Sequence, residues 1–279
     1  MSETLFKKYN VPVPRYTSYP TANSFGPFDE TDYLKAVETS NDATADNISF
    51  YIHVPFCRHL CHYCGCNSVA MAKPDRITEY FETLHKEIDL LLPHLRKDRR
   101  ISQIHYGGGS PSSMPLHFIR SINEHLLSAF ETIDRPEIAI ECHPGYLKEE
   151  DWHYLLDSGF NRFSLGIQDF NDEVLRCVNR QPALLPVETI MKILREGGAK
   201  VNFDFIYGLP KQSVSAFVST IKKAISLRPD RLVTFSYAHL PSLFKRQMIL
   251  EKAGLPSQNE KLNMFEEASK TLQAAGYVP

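Results

Sequence analysis

The amino-acid sequence predicts an α/β protein built on a parallel sheet. Two observations carry that prediction. Six strand-like runs alternate with amphipathic stretches, and each parallel neighbour in a sheet needs a crossover of that kind. The notable polar residues also gather at or just past the C-terminal ends of those runs, where parallel α/β folds build their active sites. The strands are expected at Ser49–Val54, Ser102–Tyr106, Glu137–Glu141, Arg162–Ile167, Val201–Tyr207 and Arg231–Tyr237. All are short and rich in β-branched or aromatic side chains. Between the first two, Ile77, Tyr80, Phe81, Leu84, Ile88 and Leu91 recur at helical spacing; Phe118, Ile122 and Leu126 do so after the second. Further helical stretches are Trp152–Leu156, Val187–Leu194 and Phe217–Ile225. A last helix is expected over Glu260–Ala275, with Gly276 as its stop. A barrel, a partial barrel and an open doubly wound sheet all satisfy this alternation.

The chain has 279 residues, room for one large α/β domain with or without a small appendage. Hydrophobic residues make up 43%, which supports a real core, and the net charge of −2 argues against a nucleic-acid or anionic-membrane partner. No apolar run approaches the length of a membrane span. The N-terminus MSETLFKKYN lacks the apolar core of a secretory signal, so a cytoplasmic protein is expected. Residues 1–35 carry Pro12, Pro14, Pro20 and Pro27 with little apolar periodicity, and read as an extended arm or a disordered tail. The charge run His94–Arg100 reads as a solvated loop.

The chemistry centres on HVPFCRHLCHYCGCN, directly after the first strand. Cys57, Cys61, Cys64 and Cys66 fall within ten residues, a metal-binding or catalytic pattern rather than a disulfide framework. Three thiols at C-x3-C-x2-C on a short loop can hold three irons of a four-iron cluster and leave the fourth open for chemistry. A structural zinc site is the competing reading. Zinc prefers four closed ligands in two separated pairs, whereas Cys66 lies one residue beyond Cys64 and the other two cysteines, Cys142 and Cys177, are isolated. His53, His59 and His62 are alternative ligands, though a packed or solvated histidine is commoner. Gly107–Gly109 and Ser110 follow the second strand: a tight turn, or a place where backbone approaches a ligand. Glu141 ends the third strand and is either a surface carboxylate or part of the site. Gln168 lies just past the fourth strand, and Ala238 and His239 follow the sixth. Asp204 sits within the apolar strand VNFDFIYG, where a carboxylate needs a partner or a ligand. Trp152 belongs to the core, and Cys142 and Cys177 are plain core or surface thiols.

These residues resemble a known pattern. CRHLCHYC (Cys57–Cys64) is similar to the motif of radical SAM enzymes. PRYTSYPT (Pro14–Thr21), FYIHVPFC, the added Cys66, YGGGSP, GFNRFSLGIQDFN, VNR, DFIYGLPKQ and YAHLP together resemble the oxygen-independent coproporphyrinogen III oxidase family, in order, from about Lys8 to the end. The resemblance implies a partial (βα)6 radical SAM barrel over residues 36–279, preceded by the arm of residues 1–35. It implies a [4Fe–4S] cluster on Cys57, Cys61 and Cys64, with S-adenosylmethionine on the open iron. One-electron cleavage would then give a 5′-deoxyadenosyl radical that takes a hydrogen from a propionate β-carbon. Loss of carbon dioxide and one electron leaves a vinyl group, and two such events convert coproporphyrinogen III to protoporphyrinogen IX. Two S-adenosylmethionine molecules are implied: Tyr51, Gly108 and Glu141 would contact the first, and Tyr63, Gly109, Ser110, Gln168, Arg180, Asp204 and Ala238 the second. Cys66 would lie near the cofactor without ligating the cluster. Arg15, Tyr16 and Thr17 of the arm would line or gate the substrate site, Arg15 suiting a propionate through its planar fork. A low-potential donor such as flavodoxin or ferredoxin and a monomeric state are further implied expectations, with no nucleic-acid or membrane partner.

The sequence departs from the family twice. Its usual Glu-x-Asp-Pro is Glu141-Cys142-His143-Pro144 here, which puts any charge interaction at His143 in doubt. The chain also ends at Pro279, where the family continues through a C-terminal domain; cluster binding with weak or no turnover is the expectation for this chain alone. The rival readings are a haem-binding chaperone on the same barrel and a radical SAM enzyme of another tetrapyrrole. Cys66 and the PRYTSYP arm argue against the chaperone.

Overall fold

A computed structural model describes residues 5, 8–9, 21, 24–42 and 46–279. Arg15, Tyr16 and Thr17, expected to line the substrate site, lie outside the described residues. The chain divides into a unit of residues 1–44 and a unit of residues 45–279. In the first, helix α1 (Glu30–Thr39) starts at a reciprocal cap: Asp29 accepts from the Asp32 amide at 2.9 Å, and the Asp32 carboxylate faces the Asp29 amide. This helix crosses the boundary expected at residues 35/36. Its first six residues belong to the stretch read as extended, because one cap and a short amphipathic run outweigh the prolines before it.

The second unit contains six parallel strands: β1 (Asn47–Val54), β2 (Arg100–Gly108), β3 (Thr132–Cys142), β4 (Arg162–Gln168), β5 (Lys200–Tyr207) and β6 (Arg231–Ser236). They lie side by side in chain order. Every crossover therefore steps the same way, and right-handed crossovers that never reverse put their helices on one face. This is a curved, singly wound (βα)6 sheet rather than a doubly wound one. The helices between and after the strands are α2 (Pro74–Leu91), α3 (Leu116–Ala129), α4 (Glu149–Asp157), α5 (Asp172–Cys177), α6 (Val187–Glu196), α7 (Val214–Leu227), α8 (Met248–Lys252) and α9 (Gln258–Ala274). Local chemistry sets their ends. Pro74 opens α2, Ser213 caps α7, and Ser257 with Glu260 forms a capping box on α9. That cap starts α9 two residues before the expected Glu260.

Strand alternation separates two faces. Phe163, Leu165 and Ile167 of β4 and Val201, Phe203 and Phe205 of β5 are buried on the helix side. Trp152 of α4, fully buried as expected, packs near Phe163. The opposite side of the same strands carries Ser164, Gly166 and Gln168, then Asn202 and Asp204. Register aligns these: Glu141 pairs with Ser164, Ser164 with Asn202, and Gly166 with Asp204. Tyr51 pairs with His105 in the same way.

Three details differ from expectation. Gly107 and Gly108 belong to β2, which runs two residues beyond Tyr106 because β1 pairs it out to Val54. Gln168 is the last residue of β4 rather than the first beyond it. The charge run is not wholly solvated: Arg99 is buried and donates to the Asn47 carbonyl at 2.9 Å.

Candidate functional site

The cysteine loop leaves β1 and is tied down along its length. Phe56–Cys57 pairs with Val69–Ala70, closing the loop on itself. The His62 amide donates to the Val178 carbonyl at 3.0 Å, and Asn179 Nδ2 to the Leu60 carbonyl at 3.0 Å. Arg246 Nη2 donates to the Cys64 carbonyl at 2.8 Å, and Gln247 Nε2 to that of Tyr63 at 3.1 Å. Gln247 is fully buried and also holds the Ala238 carbonyl and the Leu240 amide. It was missed in the sequence because its tie to the cysteine loop, through Tyr63, spans 184 positions.

All six cysteines are free; Cys61 is buried, Cys57 and Cys64 are partly buried, and Cys66 is exposed. The Cys66 amide donates to Cys64 Sγ at 3.4 Å. Hydrogen bonding from Cys66 lowers the Cys64 thiol to about 6, against the effect of burial. Burial, followed by the neighbouring Cys64 and Cys61, pushes Cys57 up to about 11. Arg180 Nη1 lies 3.6 Å from Cys61 Sγ and donates to Tyr63 Oη at 3.2 Å, while its other nitrogens reach the Gly166 carbonyl. Among the described residues no three His, Cys, Asp or Glu side chains converge as a metal cage. The donor set nevertheless fits thiolate-bound iron. Three sulfurs share one short loop, they repel one another once ionised, and soft thiolates are the usual ligands of iron–sulfur clusters.

Beside the loop, Tyr51 stacks on His105 with ring centroids 5.8 Å apart and an interplanar angle of 16°. His105 Nε2 lies 3.4 Å from Glu141 Oε1. His53 Nε2 donates to the Asn67 carbonyl at 2.9 Å, which leaves Nδ1 to accept from Tyr51 Oη at 3.3 Å. A Cβ on Gly107 would stand 2.9 Å from both Glu141 Oε1 and Tyr51 Oη. Gly108 has φ +114, and a Cβ there would meet the His53 ring at 2.6 Å. At Gly109 it would meet the Pro55 carbonyl at 2.5 Å. Gly109 is therefore required by the close pass of the chain against the root of the cysteine loop, and Gly107 and Gly108 by the side chains of the neighbouring strands. The Gly109 and Ser110 amides are already spent there, on the Val54 and Phe56 carbonyls at 2.8 and 3.0 Å.

Along β4 and β5 the polar stripe is partly unsatisfied. Asp204 accepts from Ser164 Oγ at 2.6 Å and Asn202 Nδ2 at 2.8 Å. Burial still raises its carboxyl above the ordinary value, with Glu141 adding to the rise. Asn202 Oδ1 and Gln168 Oε1 are buried without a hydrogen-bond partner. Gln168 has φ +66, a conformation a non-glycine residue holds only under constraint. A Cβ on Gly166 would lie 2.7 Å from Arg180 Nη2 and 3.0 Å from Gln168 Nε2. His143, which departs from the Asp the resemblance implies, is buried and stays neutral: burial first, then nearby Arg180, lower it to about 2.

The fold thus brings Tyr51, Gly108 and Glu141 into one group. It brings Tyr63, Arg180, Gln168 and Asp204 into an adjoining one. Gly109 and Ser110 are committed to the loop root, and Ala238 is exposed beyond β6 with its carbonyl held by Gln247. His105, Ser164 and Asn202 belong to the stripe and were not singled out in the sequence. The signal for Ser164 and Asn202 was their i, i+2 spacing with Gly166 and Asp204, which becomes specific only once the register is known, and His105 joins them through its contact with Glu141 on the next strand.

Residues 51–224 match the radical SAM superfamily. This chain belongs to the radical SAM superfamily. Membership implies S-adenosylmethionine and a [4Fe–4S] cluster as its cofactors. The radical SAM chain is also 40% identical over 275 residues to the oxygen-independent coproporphyrinogen III oxidase of Salmonella typhimurium, covering 98% of this chain and 59% of that protein. It is 39% identical to the Escherichia coli protein of the same name over the same shares. The solved structure of Escherichia coli coproporphyrinogen III oxidase, described as a radical SAM enzyme, superposes with a TM-score of 0.89 at 37% identity, over 99% of this chain and 62% of that one. The chain therefore spans about three-fifths of the length of these relatives. Among the described residues no helix is long and apolar enough to cross a membrane.

Proposed function

We propose that this chain carries the radical SAM part of an oxygen-independent coproporphyrinogen III oxidase, converting two propionate side chains to vinyl groups. The observation that carries the reading is the 40% identity over 98% of the chain to such an oxidase, with three thiols on one loop linked through Arg180 to the polar stripe. Cys57, Cys61 and Cys64 hold the cluster. When bound, cluster and S-adenosylmethionine supply a 5′-deoxyadenosyl radical by one-electron reductive cleavage. The residues of the chain bind, orient and shield. Tyr51, Gly108 and Glu141 line one S-adenosylmethionine position. Tyr63, Arg180, Gln168 and Asp204 line a second, with Gly109, Ser110 and Ala238 at its margin. Asp204 accepts hydrogen bonds from a polar cofactor group, and the orphaned oxygens of Asn202 and Gln168 gain donors at the same time. The half-buried Arg180 guanidinium beside Cys61 offsets negative charge on the thiolates. Cys66 stands outside the cluster, near the cofactor. Arg15 recognises a substrate carboxylate. A low-potential flavodoxin or ferredoxin supplies electrons to a monomeric, cytoplasmic protein.

The test is anaerobic reconstitution of the chain with iron and sulfide, followed by assays of S-adenosylmethionine cleavage and propionate decarboxylation. Iron uptake and 5′-deoxyadenosine release are expected, with little or no vinyl product from residues 1–279 alone. Cys57→Ser abolishes the first two together, whereas Cys66→Ser leaves iron uptake in place. Zinc in place of iron and sulfide, or deoxyadenosine release by Cys57→Ser, would sink the assignment.

A further inference from the structure

A column of stacked side chains stands against the first half of the cysteine loop. His143 is fixed at one end: its Nδ1 accepts from the Gly145 amide at 3.1 Å, and its own amide donates to Ser112 Oγ at 3.0 Å. The tails of β2 and β3 therefore both hold it. Its imidazole stacks on Tyr146 with centroids 4.1 Å apart at 25°. Tyr146 stacks in turn on His59, with centroids 5.9 Å apart at 25°, and its hydroxyl shares a hydrogen bond with His59 Nδ1 at 2.8 Å. The Arg58 guanidinium carbon lies 5.2 Å from the centre of the same tyrosine ring. Its Nη2 reaches towards the Ser113 carbonyl at 3.5 Å. Arg58 and His59 are two of the three residues between Cys57 and Cys61. The backbone anchors of this stretch lie on either side of them, where the Met71 amide meets the Cys57 carbonyl and Asn179 meets that of Leu60. Arg58 and His59 are tied through their side chains, and both contact Tyr146.

We infer that Tyr146, clamped between His143 and His59, is a positioning residue that sets the Cys57–Cys61 spacing for the cluster. This rests on the thiolate role proposed above. The physical argument is preorganisation. A three-residue span between two ligands samples many conformations, and a ligand pair binds tightly only when few of them are lost on binding. A ring held by its stack on His143 and by its contacts with Arg58 and His59 removes that freedom before the metal arrives.

Two measurements test this, one of which needs no cluster. In the apo protein, Tyr146→Leu is expected to speed alkylation of Cys61 by iodoacetamide, read by mass spectrometry, while Tyr146→Phe, which keeps the stack, stays close to wild type. In reconstituted protein, Tyr146→Leu is expected to lose iron to a chelator about 10- to 100-fold faster and to change the electron-paramagnetic-resonance signal of the reduced cluster. Tyr146→Phe again keeps most wild-type behaviour. Wild-type alkylation and iron-loss rates in Tyr146→Leu would overturn the inference, as would equal damage from Phe and Leu. Failure of the wild type to take up iron and sulfide would instead overturn the proposed function. The apo alkylation comparison would then still report whether Tyr146 orders the loop.

Discussion

Two carboxylates, one past the end of β4 and one within the neighbouring β5, behave differently. Asp169, just past β4, is buried and saturated. Its Oδ1 accepts from Thr220 Oγ1 at 2.6 Å and from the Asn171 amide at 2.9 Å, and its Oδ2 accepts from Gln212 Nε2 at 2.8 Å. Gln212 itself caps the Leu209 amide and the Ile206 carbonyl. This network locks the β4 and β5 tails to α7. Asp204, on the opposite face of the sheet, has two side-chain donors, an orphaned Asn202 oxygen beside it and a raised pKa. A buried carboxylate with every acceptor filled has finished its work on folding. One that is left short of donors at a cleft is waiting for a ligand to complete it.

The largest expected effect lies on the saturated side. Asp169→Ala strands the Thr220 hydroxyl and weakens the Gln212 bridge, and is expected to cost about 2–4 kcal/mol in urea unfolding. A cost under about 1 kcal/mol would mean the network carries little, and the contrast with Asp204 would fail. Asp204→Ala should do the reverse. It is expected to weaken S-adenosylmethionine binding, measured by calorimetry on the reconstituted protein, by about 10- to 100-fold, a charge-assisted hydrogen bond's worth. Its melting temperature should move far less than that of Asp169→Ala.

A smaller effect concerns the pH dependence of Asp204. The Asp204 carboxyl binds its proton more tightly folded than unfolded. Its contribution to stability is whole below the ordinary Asp range. It falls as pH rises through that range and is lost above the raised folded value. Asp204→Asn carries no such loss, so its unfolding free energy relative to wild type should improve between pH 3 and pH 7. No change in that difference would show that the carboxyl is not perturbed. The smallest effect concerns Gln168. Gln168→Gly relieves a positive φ at the expense of backbone entropy, and should stabilise the chain by no more than about 1 kcal/mol while weakening cofactor binding. Unchanged binding would remove Gln168 from the site and leave its strain without a functional reason.

Much of this was legible in the sequence. All six strands were found in the expected order and overlap the expected runs, though β3 starts at Thr132 rather than Glu137, and the cysteine spacing pointed to thiolate chemistry at once. The helices missed were α1, α5 and α8, of ten, six and five residues. Such short elements owe their existence to caps and packing, because few turns cannot repay the cost of nucleation or show a clear period. The tripeptide Gly107–Gly109 was read as turn or ligand cradle. Its packing against His53 and Pro55 could not be seen, since the neighbours lie some fifty residues earlier in the chain.

The sequence by itself determined the local terms: which residues alternate, where helices start and stop, and that three thiols share one loop. These depend on neighbours within a few positions, where hydrophobic period, caps and covalent spacing act directly. Only the tertiary structure decided the register that sets Glu141, Ser164, Asn202 and Asp204 in one stripe. It alone also turned Asp169 inward to Thr220 and set the contact between Tyr146 and a loop 87 positions away. Those choices rest on hydrogen bonds and packing between distant segments, and a shift of one residue in any strand would exchange the stripe for the core.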